Sequence, residues 1–409
     1  MTIATPVPTR AAAPAAAWRV ALALALAHAI NDAYSGFLHP LLPRIMTELG
    51  LSIALAATLT STLALAASLL QPVMGLAADR YGARRFLIAG PLVSAVFLSL
   101  IGLAPGFAAL LALLAVGGLG SALFHPPAAA AAASAGRGAG SGARMSIFSF
   151  GGALGFAVAP LAAVALVGRL GLPGLTFAMI PALVLMPLIA RVIPADARPH
   201  PVRPARLLPG RDALRGALGV LFVISALAAF VQRTFLTLQP IAIARVGGSE
   251  ALGARVLSTY LVAQALGSLA GGFLVDRYDR RRVLFGVTFL SVPAHLLALA
   301  LPAGSSAALA ATAAAGLLNM ALLPPLVVMA QEASPHGAAT SAGIVMGLAW
   351  AAGSIVMVGA GALGDVIGAR AAALAAVPVM LIASACALHP QLRPYRRPRA
   401  HAVAPTIPL

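Results

Sequence analysis

The sequence has no lysine, a single cysteine and only 10 acidic residues among 409. Each scarcity excludes something. With Cys386 alone, neither an intrachain disulfide framework nor a Cys-based metal site is available within one chain. Charged residues make up 9% of the chain, against about a quarter in soluble domains, too few to coat a water-soluble protein of this length. Aromatics are sparse at 5%, and no basic, aromatic-interleaved stretch occurs that could line a nucleic-acid groove, so the net charge of +17 does not mark a nucleic-acid binder. His-Glu-x-x-His, a nucleophile elbow and paired catalytic carboxylates are also missing, so no enzyme is expected.

What the chain does have is apolar length. A hydrocarbon core about 30 Å thick takes about 20 helical residues per crossing. Hydropathy predicts crossings near 18–39, 52–77, 86–103, 106–133, 144–167, 172–193, 214–242, 252–275, 283–301, 306–331, 338–363 and 370–389. The expected fold is an all-α polytopic membrane protein with 12 transmembrane helices. A six-helix bundle over 18–193 follows an N-terminal tail (1–17), and a Pro- and Arg-rich linker (194–213) leads to a second bundle over 214–389 and a basic tail (390–409). Ala25-Leu26-Ala27 resembles a signal-peptide cleavage site, but Asn31 and Asp32 follow inside an apolar stretch that reaches Leu42, and cleavage there would destroy a span.

Arg marks orientation, because cytoplasmic loops retain positive charge. With both ends inside, 21 of the 27 Arg fall on the cytoplasmic side and five outside (Arg44, Arg169, Arg245, Arg255, Arg370). Arg233 is left within the membrane. The expected location is a bacterial inner membrane, multi-pass, both termini cytoplasmic, the partners lipid and a small solute, and the chain a monomer.

The halves repeat. GLAADRY at Gly75 to Tyr81 recurs as GFLVDRY at Gly272 to Tyr278, displaced by 197 residues; Gly118, Pro126-Pro127 and Gly155 recur as Gly316, Pro324-Pro325 and Gly353, displaced by 198. A near-constant offset implies two related bundles. In the loop after span two, Gly75 admits a close helix, Asp79 suits a helix N-terminus or an Arg partner, Gly82 permits a tight turn, and Arg84 and Arg85 suit lipid phosphates.

Gly75, Asp79, Arg80, Gly82, Arg84 and Arg85 together spell GxxxDRxGxRR, which resembles the signature loop of the major facilitator superfamily; Gly272, Asp276 and Arg277 resemble its second, degenerate copy. That resemblance implies alternating access, two bundles rocking about a midplane site, with this loop as a cytoplasmic gate that latches in the outward-facing state. His28 to Asp32 (HAIND), the stretch GGLGSALFHP that ends at Pro126, and Ser146-Ile147-Phe148 with Gly151-Gly152 and Ala159-Pro160 look like the fosmidomycin-resistance branch of bacterial drug exporters. This chain departs from that pattern at Pro127, where an acidic residue is expected. It also lacks the span-four Arg of many drug–proton antiporters, Leu113 and Leu114 standing in that neighbourhood, so proton coupling must use other groups.

An ionisable residue near the bilayer centre costs at least ~2.5 kcal/mol on insertion scales. Asp32 is the candidate proton site with His28 as neighbour, and an unbroken helix would put His28, Asp32 and His39 on one face. Arg233, beside Gln232 at the corresponding place in the second half, either binds an anionic group of the substrate or pairs with Asp32. Asn31, Gln239, Asn319 and His125 complete the expected substrate-binding set, and the proton is the coupling ion, with no other cofactor and no metal. The function expected is proton-coupled efflux by antiport of a small drug-like or anionic solute. Proton-coupled uptake of an organic anion is the alternative, and a non-transporting membrane sensor the third reading.

Overall fold

Twelve apolar stretches form twelve helical crossings, and proline decides where several of them bend. The structure, a computed structural model, describes residues 14–135, 141–194, 216–333 and 338–395. The expected tails and the linker lie largely outside these residues. Among the described residues there is no strand.

The first crossing is two helices, Pro14–Ser35 and Leu38–Leu49. Pro40 has no N–H and its ring crowds the carbonyl of Gly36, four residues earlier, which favours a break between the two helices at this point. Gly36 then tucks under the fifth crossing, where a Cβ would lie 2.6 Å from Ala159 Cβ. The second crossing, Ile53–Leu69 and Gln71–Tyr81, bends by 41° just ahead of Pro72. Three more follow: Ala83–Leu103, Phe107–Ala135 and Ser141–Leu170. The fourth of the series runs through Pro126-Pro127 unbroken. Leu172–Val192 completes the first bundle.

The second bundle comprises Ala217–Arg245, Glu250–Arg277, Arg280–Ala300, the pair Ser306–Ala321 and Leu323–Ala333, an eleventh crossing, and Ala369–Ala387. In the tenth, the repeated proline pair does end a helix. The eleventh is composite. Ala338–Gly343 passes through a π-turn at Ile344–Leu348 into Ala349–Ile367.

Small residues set the packing within each bundle. A Cβ on Gly151 or Gly155 would meet the Ala25 or Ala29 carbonyl of the first crossing at 2.3 or 2.1 Å. The second bundle repeats this between the eighth and tenth, where Gly267 and Gly271 face the Leu317 and Ala321 carbonyls at 2.1 and 2.2 Å. Side-chain-free contact of this kind replaces the hydrophobic drive that lipid cannot supply. Large apolar side chains such as Leu269, Phe273, Ile355 and Val356 point outward, as a bilayer requires.

The repeat also governs helix ends. Ser52 and Ser249, 197 residues apart, each accept a bond from the backbone N–H three residues on, at 3.2 Å, and so cap the second and eighth crossings. Arg84 donates to the carbonyls of Ala190 and Ile193 at the end of the sixth crossing. Its counterpart Arg281 donates to the Leu388 carbonyl at the end of the twelfth. Arg84 therefore serves a helix C-terminus, not the lipid phosphates expected of it, because the exposed carbonyls carry the negative end of the helix dipole.

Candidate functional site

Three crossings of the first bundle converge on Asp32. Helical spacing of four residues brings His28 alongside it, with Nε2 3.2 Å from Oδ2. His125, from the fourth crossing, brings its own Nε2 to 3.4 Å from Oδ1. Asn31 donates to Asp32 Oδ1 at 3.0 Å and to Ser121 Oγ at 3.3 Å, while its own carbonyl oxygen accepts from Ser94.

The outer ring nitrogens fix the inner ones. His28 Nδ1 lies 2.9 Å from the Phe148 carbonyl and His125 Nδ1 lies 2.8 Å from the Ser121 carbonyl. A carbonyl only accepts, so both Nδ1 atoms carry hydrogen. In the neutral rings both Nε2 lone pairs then face the carboxylate, and the arrangement becomes favourable when a cation joins them. A proton on either Nε2 makes a charge-assisted bond to Asp32. The three ligand atoms lie within 4.8 Å of one another and could hold a metal ion, a chemistry the sequence reading did not include. Stacking on Phe148, with ring centroids 4.4 Å apart, holds the His28 plane.

The second bundle carries a parallel polar chain without the charge. Gln232 donates to Gln264 at 3.0 Å, Gln264 to Asn319 at 3.1 Å, and Asn319 to the Ala228 carbonyl at 3.3 Å. Asn319 stands at the repeat position of Ser121. Gln264, part of neither motif nor repeat, escaped the sequence reading. Gln239 is buried further along the seventh crossing and joins neither chain.

Arg233 is separate from both. Its guanidinium lies over the Trp350 ring, 5.6 Å from the centroid, and no carboxylate of the described residues pairs with it. The expected alternative of an Arg233–Asp32 pair is not formed, because the two imidazoles and Asn31 already surround Asp32. His39 also departs from expectation. The break at Gly36 takes it out of the helix that carries His28 and Asp32, and it is buried in the second helix of that crossing.

The two ends of the molecule differ. Opposite the GxxxDRxGxRR loop, Arg44 holds Glu250 through two bonds, Nε at 2.7 Å and Nη2 at 3.0 Å, joining one bundle to the other. Beside them Asp365, from the eleventh crossing, accepts from the free N–H groups of Ile53 and Ala54 at 2.6 and 3.0 Å. With Ser52 taking Leu55 N–H, three free N–H groups at the start of that helix have acceptors, and two of the three bonds come from the other bundle. Arg44, Glu250 and Asp365 were legible only as loop charges. Ser61 donates to the Ser354 carbonyl and Thr237 to Thr60 just inside this seal.

At the loop end the motif's Arg84 holds the end of the sixth crossing, and its other charges face outward. Asp79, Arg80 and Arg85 are exposed, as are Asp276 and Arg277, and among the described residues Asp79 has neither a hydrogen bond to a helix N-terminus nor an ion pair with an Arg. Arg80 and Arg277 lie over Tyr81 and Phe273 instead. Gly82 makes the turn at φ +103°, a conformation L side chains rarely adopt, and Gly75 faces Pro126, with 3.4 Å available to a Cβ. Gly272 has open space at that position. Glu332 pairs with the buried Arg280 at 2.8 Å.

Two six-helix bundles, joined at the end opposite the loop by Arg44–Glu250 and Asp365, define a multi-pass membrane protein of the two-bundle transporter class. The chain belongs to the major facilitator superfamily, whose model matches residues 24–220 and 221–408. It is 29% identical over 369 residues to an uncharacterized MFS-type transporter, YfnC, of Bacillus subtilis, covering 86% of this chain and 88% of that one. It is 27% identical over 345 residues to the fosmidomycin resistance protein of Escherichia coli, covering 82% and 83%. Among solved structures, a bacterial homolog of the human lysosomal transporter Spinster, in an inward-facing and unoccupied conformation, superposes with a TM-score of 0.76 at 18% identity, covering 92% of this chain and 97% of that one. The nucleoside transporter NupG superposes at 0.72 with 15% identity, covering 90% and 98%.

Proposed function

We propose that this protein is a secondary active transporter that exports a small drug-like or anionic solute across a bacterial inner membrane in exchange for protons, by alternating access. The observation that carries the reading is Asp32 between two imidazoles whose Nδ1 hydrogens are committed to backbone carbonyls. Such a cluster gains a hydrogen bond with each proton it accepts and loses it on release. It is therefore suited to load a proton from one side and discharge it to the other.

Export rests on the 27% identity to the fosmidomycin resistance protein, and the Arg44–Glu250 seal at the end away from the loop fits a state open toward the Arg-rich side. That side is cytoplasmic by the Arg count. Direction is tested in everted membrane vesicles and in intact cells expressing the protein, with fosmidomycin and a panel of small organic anions as solutes. An exporter accumulates solute in respiring everted vesicles and lowers it in cells, and a protonophore abolishes both. Accumulation in intact cells in its place makes the protein an importer.

A further inference from the structure

Two imidazoles and a carboxylate converge on one point in the first bundle. His28 Nε2 lies 3.2 Å from Asp32 Oδ2, His125 Nε2 lies 3.4 Å from Asp32 Oδ1, and the three ligand atoms fall within 4.8 Å of one another. With each Nδ1 hydrogen committed to a backbone carbonyl, the neutral rings bring lone pairs and no donor to this point. One proton relieves one nitrogen. A divalent cation takes both imidazoles and the carboxylate at once.

The dimensions suit a transition metal. Two corners of a zinc tetrahedron with bonds of about 2.0–2.1 Å stand about 3.3 Å apart, and the two imidazole–carboxylate separations bracket that value. His28 and Asp32 stand four residues apart on one helix, the spacing that presents two ligands of a helix to one ion, and His125 arrives from the fourth crossing. Around the ligands the structure holds their planes. The Nδ1–carbonyl bonds fix both tautomers, Phe148 stacks on His28 at 4.4 Å, and the buried Asn31 donates to Asp32 Oδ1 at 3.0 Å. Partners of this kind orient the ligands of metal sites. Gly152 leaves room beside His28 Nε2, since a Cβ there would lie 2.4 Å from that nitrogen. The side chains of His28, Asp32 and His125 are 11, 22 and 29% exposed, so the cluster is not sealed from solvent and a water can complete the coordination.

We propose that His28, Asp32 and His125 form a binding site for one divalent transition-metal ion of the zinc type. Imidazole ligands select such ions over Mg2+ and Ca2+, which take oxygen. The ion occupies the same Nε2 atoms that the proposed function uses, so it blocks transport and is not a cofactor for it. That consequence rests on the proton reading of the cluster, whereas the binding rests on the ligand geometry alone.

Full-length protein, purified with its affinity tag removed and treated with EDTA, is titrated with Zn2+ by calorimetry and with Co2+ by visible absorption. One ion per chain is expected, with the intensified Co2+ bands of a four-coordinate site, and no binding of Mg2+. His125→Ala and Asp32→Asn should each weaken Zn2+ binding roughly tenfold or more, and Asn31→Ala, which frees the carboxylate, about tenfold. His389→Ala, exposed after the twelfth crossing, should leave it unchanged. If Asp32→Asn does not melt cooperatively, His125→Gln carries the test with the same expected loss. In proteoliposomes, Zn2+ at concentrations that fill the site should abolish pH-driven solute flux. No saturable binding, or binding unchanged in the His125 and Asp32 variants, overturns the proposal. Intact pH-driven flux without metal binding overturns it too, while leaving the transport reading standing. Full occupancy with undiminished flux supports the metal site and takes the proton role away from these atoms.

Discussion

Arg44 grips Glu250 with two parallel bonds across the bundle interface, at the end opposite the signature loop. Both side chains are partly solvated, so the pair contributes about 1 kcal/mol, a roughly fivefold bias toward the sealed state.

Glu250→Gln is expected to loosen this seal. In a Cys386→Ser background carrying Ser61→Cys, just inside the seal, a membrane-impermeant maleimide should label Cys severalfold faster once Glu250 is neutralised. An unchanged labelling rate would remove Arg44–Glu250 from the gate.

The paired caps give a second expectation. Arg84→Ala and Arg281→Ala each strip a charged donor from the end of the last helix of their bundle, and each should cost about 1.5–3 kcal/mol, read as a lowered melting temperature. Arg85→Ala, exposed, should stay within about 0.5 kcal/mol of the parent.

Two neighbouring glycines should fail differently. A Cβ at position 155 would meet the Ala29 carbonyl at 2.1 Å, backbone that cannot yield, so Gly155→Ala should cost about 1–3 kcal/mol and show as poor expression or a lowered melting temperature. A Cβ at position 152 would meet only the His28 ring, with Nε2 at 2.4 Å, and a side chain can swing aside. Gly152→Ala is therefore expected to melt near the parent temperature while its pH-driven flux falls, because His28 is pushed off Asp32.

A metal required at His28, Asp32 and His125 would make flux sensitive to chelators. The proton reading expects flux unchanged after dialysis against EDTA, and restoration of lost flux by zinc would replace it.

How much of this was legible beforehand follows from which forces are local. Hydropathy located the twelve crossings, since each must fill a bilayer by itself, and the 197-residue repeat revealed paired bundles. The interruption at Gly36 was present in the sequence as Pro40 four residues on, yet an unbroken 100° helix put His39 beside Asp32. Contacts between distant crossings had no such local signature. His125 joining Asp32, Asp365 capping Ile53, and the π-turn that seats Trp350 over Arg233 depend on how helices pack, which periodicity does not report. Arg84 looked like a lipid-facing charge because the carbonyls it caps come from a helix more than a hundred residues away.

Asp32 remains the centre of the account, and flux in its presence and absence tests it most directly. In proteoliposomes, the parent protein should accumulate a transported solute against its gradient when a pH gradient is imposed. Asp32→Asn should abolish that accumulation yet retain solute counterflow at equal pH, since the binding site and the rocking bundles are intact. Full-rate, pH-driven accumulation by Asp32→Asn would contradict the proposed role of Asp32.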